Sequence, residues 1–286
     1  MDKYLRDAAF GGNPGADVAE AAAEGTPRQR WLAAVVLGGQ GRYAAATTLL
    51  TELRHTADPV LASLAASTLA SQRRQVGGHA AARRLDGEAL ARLAGVEPTA
   101  GDPDCVDAAG ALADALIGLA ADAIGVGGPA RRLHVVAADT VERLGGTEGH
   151  RWRSAVRLDW VRAEIELAAG RPADALEPAR RAVATATAAG AIRHRVKSRM
   201  VLAATLANLH DPVSKERAEA LLECDVHHNE ALGLYPLVWP CALLLGHLRP
   251  DGAQVWLERA KGVLSCVLLR ADPVARTLAK ASVWVP

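Results

Sequence analysis

Apolar positions in this chain fall in blocks of about 12 to 20 residues, cut at short intervals by glycine and proline, the length and punctuation of helices. No apolar–polar alternation runs long enough to make a strand. Alanine, leucine and arginine fill the blocks, all good helix formers, while the strand-favouring aromatics make up only 3% of the chain. The pattern predicts an all-α protein. Breaks stand at Thr26-Pro27, Gly38 to Gly41, Asp58-Pro59, Gly77-Gly78, Pro98 to Pro103, Gly127 to Pro129, Gly145-Gly146, Gly170 to Pro172, Gly190, Asp211-Pro212 and Arg249 to Gly252. Proline at helix starts and glycine at helix ends make these roughly a dozen helices with short connections. Residues 1–26, Gly-rich around Phe10 to Gly15, are expected to be partly ordered or lightly docked, and 27–286 to form the helical domain.

Small residues recur inside this domain at fixed intervals. The triplets Ala34, Ala46 and Leu53; Ala70, Ala82 and Ala89; Gly118, Ala130 and Ala137; Ala163, Ala175 and Ala182; and Cys241, Ala253 and Ala260 all have steps of 12 and then 7. Antiparallel helices approach closely only where facing side chains are small, so the steps mark one tight crossing per helix hairpin. Gly41, Gly77, Gly125 and Gly170 each precede the second-helix alanine by five residues. In the first unit, Gln40-Gly41-Arg42-Tyr43-Ala44-Ala45-Ala46, followed by Leu50, Leu53 and Asp58-Pro59, resembles the second half of a tetratricopeptide repeat. Leu167 to Ala175 looks like the same unit with Pro172 in the aromatic's place.

The resemblance covers most of Thr26 to Leu269, is strongest at the first and fourth units, and fits Ile192 to Glu230 poorly. The chain also looks like uncharacterised actinobacterial helical-repeat proteins and like the ligand-sensing repeat regions of large bacterial regulators. It implies an α–α superhelix of about six hairpins, with a concave groove lined by the first helices. The lysine and asparagine clamp by which some members of the family hold a C-terminal carboxylate is absent, since Trp31 and Trp160 occupy one clamp position and Val35 and Glu164 another.

Composition narrows the function classes. The chain is 50% apolar, so it can bury a large core, and its formal charge of +1 makes the molecule as a whole no footprint for nucleic acid or an anionic membrane. Cys105, Cys224, Cys241 and Cys266 never form a Cys-x-x-Cys pair and read as free thiols. The apolar run from Leu232 to Leu248 is interrupted by Pro236, Pro240 and His247, and a cytoplasmic location is expected. Charge is segregated, however: residues 151–200 carry eleven basic and five acidic side chains, whereas 101–126 carries five aspartates and no base.

No phosphate loop, zinc-protease helix or nucleophile elbow occurs, and no cofactor is implied. Asp225, His227, His228 and Glu230 are the densest set of metal-ligating groups; on a helix they would point apart, and a polar loop between helices is the plainer expectation. Arg153, Arg157, Trp160 and Glu164, at steps of 4, 3 and 4, form one helical stripe, and Arg195 and Arg199 form another. Trp31 and Trp160 share one repeat position. Two fates are open to these residues, the concave groove or an ordinary solvated or core role. The expectation is a non-catalytic scaffold that holds a peptide segment, acidic where it meets the arginines. The alternatives are a sensory module binding a small ligand to modulate a transcriptional partner, and a metal-dependent enzyme built on His227 and His228.

Overall fold

The computed structural model describes residues 1–144, 151–283 and 285; the break at Gly145-Gly146 and the C-terminal Trp284 lie outside the described residues. The described residues form fifteen helices and no strand. These are α1 (Asp2–Phe10), α2 (Ala19–Glu24), α3 (Pro27–Gly39), α4 (Tyr43–Leu53), α5 (Pro59–Gln75), α6 (His79–Arg92), α7 (Ala108–Gly125) and α8 (Ala130–Leu144). They continue with α9 (Trp152–Ala168), α10 (Pro172–Ala188), α11 (Ile192–Ala207), α12 (Pro212–Ala231), α13 (Tyr235–Leu248), α14 (Ala253–Leu269) and α15 (Pro273–Ala281). Side-chain caps start several of them, at Thr26-Pro27, Asp58-Pro59 and Asp211-Pro212 where the sequence predicts a break. Thr26 and Gln29 close a capping box ahead of Pro27, and Asp58, Asp107, Asp211 and Asp272 accept backbone N–H bonds at the heads of α5, α7, α12 and α15.

Helices α3 to α14 pair in sequence as six hairpins. The small-residue register lies at their crossings: Ala34, Ala46, Ala70, Ala82, Ala163, Ala175 and Cys241 are wholly buried. Gly118 of α7 leaves room for the carboxylate of Asp86, which comes across from α6. The stretch that fitted poorly by sequence obeys the same steps of 12 and 7 through Leu206, Ala218 and Asp225, all buried, with an acid where other hairpins have an aliphatic residue. In the third hairpin the left-handed turn glycine is Gly127, φ 67°, rather than Gly125, which stays helical and makes room for the His79 ring.

The first helices, α3, α5, α7, α9, α11 and α13, contact one another in order and form the inner layer. Helix α7 is long and apolar enough by composition to cross a bilayer; here it is a buried inner helix packed on α5, α6, α8 and α9. The superhelix closes on itself. Ala44 N–H donates to the Arg270 carbonyl at 2.8 Å, and Asp272 accepts from Arg73 at 2.6 Å and Thr47 at 3.1 Å, tying the first two hairpins to the C-terminal helices.

The N-terminal segment departs from expectation. Residues 1–26 contain α1 and α2, and Leu5, Ala8, Ala9 and Phe10 are buried in the largest core cluster. Helix α1 spans α3 and α11, with Ile192 N–H donating to the Gly11 carbonyl at 3.1 Å. Arg6 pairs with Asp102 and, at 2.5 Å, with Asp104. Its glycines stand in the connection after α1, and the apolar side chains just before them anchor the segment.

Two substitutions test this packing. Ala175→Leu should cost about 1–3 kcal/mol by overpacking the fourth crossing, while Ala173→Leu, on the exposed face, should stay within about 0.5 kcal/mol of wild type in denaturant titrations. Phe10→Ala should cost about 3–5 kcal/mol, as for a core aromatic; a loss under about 1 kcal/mol would return α1 to the lightly docked state.

Candidate ligand-binding cavity

Closure of the inner layer leaves a cavity of about 510 Å³, bounded by α3, α5, α7, α9 and α11, with Phe10 of α1 at one end and Leu237 of α13 contributing to the wall. That volume is in the range of small-molecule sites, about 300–1,000 Å³. One wall is aromatic. The Trp160 indole stacks on His194 at 5.6 Å and 15°, Trp152 meets the same imidazole edge-on at 5.0 Å, and Phe10 lies 6.1 Å from Trp31. Trp31 N–H donates to Thr68 Oγ1 at 3.1 Å and Trp160 N–H to Ser198 Oγ at 2.8 Å, so both indoles are oriented by hydrogen bonds. A second, apolar recess of about 260 Å³, bordered by Met200, Trp239 and Leu244, shares Glu164 and Lys197 with the first. Those two side chains pair at 3.1 Å.

Charged side chains are interleaved with these rings: Arg153 lies 5.4 Å over Phe10 and Lys197 5.8 Å over Trp160. Arg153 donates to Asp114 at 2.7 Å and to the carbonyls of Asp104 and Cys105, both at 2.8 Å, and Arg157 pairs with the other oxygen of the same Asp114. Arg74 bridges Asp122 at 2.7 Å and Asp86 at 2.6 Å. Burial, then repulsion from Arg153 and Arg74, holds Arg157 below its ordinary value. Burial and three arginines, Arg193, Arg153 and Arg157, drive His194 well below the usual imidazole range, so it is a neutral ring at pH 7. The acidic stretch 101–126 and the basic stretch 151–200 thus meet face to face across α7 and α9.

Several polar groups on the wall have no partner among the described residues. Both amide atoms of Gln72, and Nδ1 of His79 and of His194, are buried without a hydrogen bond. Such groups are costly unless something in the cavity satisfies them.

Arg153, Arg157, Trp160 and Glu164 of α9 all line the cavity, together with Trp31. Trp31 is only 1% exposed and Arg153 only 5%, so neither is solvated surface. Arg195 and Arg199 turn away. Arg199 pairs with buried Asp225 at 2.9 Å, and Arg195 acts on the same carboxylate. On α11 the cavity is reached instead by Arg193, His194 and Lys197, because each residue turns a helix by about 100° and the acid on α12 claims the other face.

The polar loop expected around the metal-ligating cluster is instead continuous α12. It scatters those groups: Asp225 faces Arg199, Glu230 pairs with Arg259, and exposed His227 bonds the Glu223 carbonyl at 2.8 Å. No cluster of three metal-ligating side chains exists among the described residues. The sequence reading missed Phe10, Gln72, Arg74 and Arg193. A signal existed for α5, since Ser67 and Ser71 occupy the register positions of Trp31 and Val35 in the first hairpin and of Trp160 and Glu164 in the fourth. A scan against protein-family models matches none to this chain, and a search of curated proteins finds no significant relative.

The buried acid Asp86 carries a pH signature. Burial pushes it up to about 8, against the pull of Arg74 and with a further push from Asp122. An unfolded aspartate titrates near about 3.9, so the folded state holds the extra proton between the two values. The stability this contributes is complete below about pH 4 and is lost as pH rises through about 8. The Tm advantage of wild type over Asp86→Asn should therefore shrink or reverse from about pH 5 to about pH 8.5; a gap that widens would mean that Arg74 keeps Asp86 ionised throughout.

Proposed function

We propose that this protein is a binding module that holds a small molecule in its central cavity, in a sensory or regulatory role rather than a catalytic one. The observation that carries the reading is Gln72, buried with both amide atoms unpartnered in the wall of a cavity of about 510 Å³. A ligand with its own donor and acceptor would satisfy them. The oriented indoles of Trp31 and Trp160 give the same space rigid apolar surfaces. Catalysis is the weaker reading because Asp114, Asp122 and Asp86 are all engaged by arginines.

A peptide laid along the concave face would need an open strip. Here α1 packs on α3 and α11 across part of that face and Trp31 is 1% exposed, which favours a small ligand over an extended peptide. The tetratricopeptide-like character of the hairpins is compatible with either occupant.

Thermal-shift screening against a library of small metabolites tests the proposal. At least one compound should raise the wild-type Tm by several degrees, as ligand in large excess over Kd does, and Ser71→Trp, which places bulk in the cavity, should abolish the shift while keeping the fold. Stabilisation by peptides alone, or shifts unchanged in Ser71→Trp, would overturn it.

A further inference from the structure

Cations and carboxylates of the cavity wall are unevenly matched. Arg74 has Asp86 and Asp122, Lys197 has Glu164, and Arg153 and Arg157 share the single Asp114. Arg193, which also lines the cavity, has no carboxylate partner among the described residues. Burial and the nearby Arg157 both disfavour its charge. Arg193 lies against Gly39 at the carbonyl end of α3, where a Cβ would stand 3.1 Å from its Nε. Helix carbonyls provide a partial negative charge, which is less than an arginine needs in a buried site.

Gln72 converges on the same place from α5. A Cβ on Gly38 would stand 2.7 Å from its Nε2, so the successive glycines Gly38 and Gly39 let Gln72 and Arg193 come down on the end of α3. The result is a buried amide donor without an acceptor and a guanidinium without an acid, both against the end of α3 and both on the cavity wall. Next to this polar corner stand the flat surfaces of Trp31, Phe10 and the His194–Trp160 stack. Water can satisfy an amide, but it does not neutralise a charge.

We propose that the cavity takes a small organic anion, its headgroup held by Arg193 and Gln72 and its apolar, planar body set among Trp31, Phe10 and the His194–Trp160 stack. This rests on the cavity being a ligand site and names the class of ligand. Arginine presents a fork of donors that matches a carboxylate, sulfonate or phosphate ester, and the amide of Gln72 supplies a further donor.

Fluorescence titration with two probes separates the two claims: anilinonaphthalene sulfonate, which is an anion, and phenylnaphthylamine, the same body without the charge. Wild type should bind the sulfonate at least about tenfold more tightly than the amine, and Ser71→Trp should block both probes. Arg193→Met should remove that preference while leaving amine affinity within about twofold, and Arg193→Lys should restore part of it. Should Arg193→Met fail to fold, judged by circular dichroism, Gln72→Met reads the same corner through weaker sulfonate binding alone. Equal affinity of wild type for both probes, or a preference that survives Arg193→Met, would overturn the anion assignment and leave the small-molecule cavity standing. Probe binding that Ser71→Trp does not affect, or no binding of either probe, would overturn both.

Discussion

Two helices can lie side by side at close range only where the facing residues are small, and in this chain small residues meet that requirement at one register of the first helix in five of the six hairpins. Ala34, Ala70, Gly118, Ala163 and Cys241 meet it on the first helices, and Ala46, Ala82 and Ala175 on the second. Tight hairpins stack with a small, repeated rotation, and repetition of that rotation curls the array. After six hairpins the array has come round far enough for Arg73 and Thr47 to bond Asp272. The cavity lies on the inner side of this curled array. Its existence therefore follows from residues that never touch it.

Closure has consequences that an open solenoid lacks. Contacts between α4 and the α14–α15 connection, and between α1 and α11, join parts of the chain that are far apart in sequence. The terminal hairpins each have a second neighbour. Helix α1 does two things at once: it fills the first hairpin's core with Leu5 and Ala8, and it presents Phe10 to the cavity, where Arg153 sits 5.4 Å above its ring. The order of the N-terminal segment and the shape of the site are thus one property.

The buried charge needs a reason beyond stability. Replacing paired ions by apolar residues of similar size is often neutral or stabilising, so a cavity wall with Arg74, Arg153, Arg157 and Arg193 is an expensive way to fill an interior. Asp114 and Asp122 make most of that charge tolerable, and Asp86 adds a further partner for Arg74 although burial pushes it upward. Arg193 and Gln72 remain unmatched. Polar groups left incomplete inside a finished fold are the places where a bound molecule can contribute what the chain does not.

Helix content, hairpin boundaries and the stripe Arg153, Arg157, Trp160 and Glu164 were legible in the sequence because each rests on local physics: propensity, proline and glycine punctuation, and a period of 3.6 residues. The fifth hairpin was obscured because Asp225 replaces an aliphatic residue at its crossing, and only its pairing with Arg199 shows why an acid is tolerated there. The same pairing turns Arg195 and Arg199 outward and leaves Arg193, His194 and Lys197 to the cavity, a choice between faces of α11 that periodicity alone does not make. How far the inner face curls around the cavity was likewise decided by tertiary structure. It depends on the rotation accumulated over six hairpins and on α1 lying across the inner layer, and both are sums of long-range contacts that no local window of sequence contains.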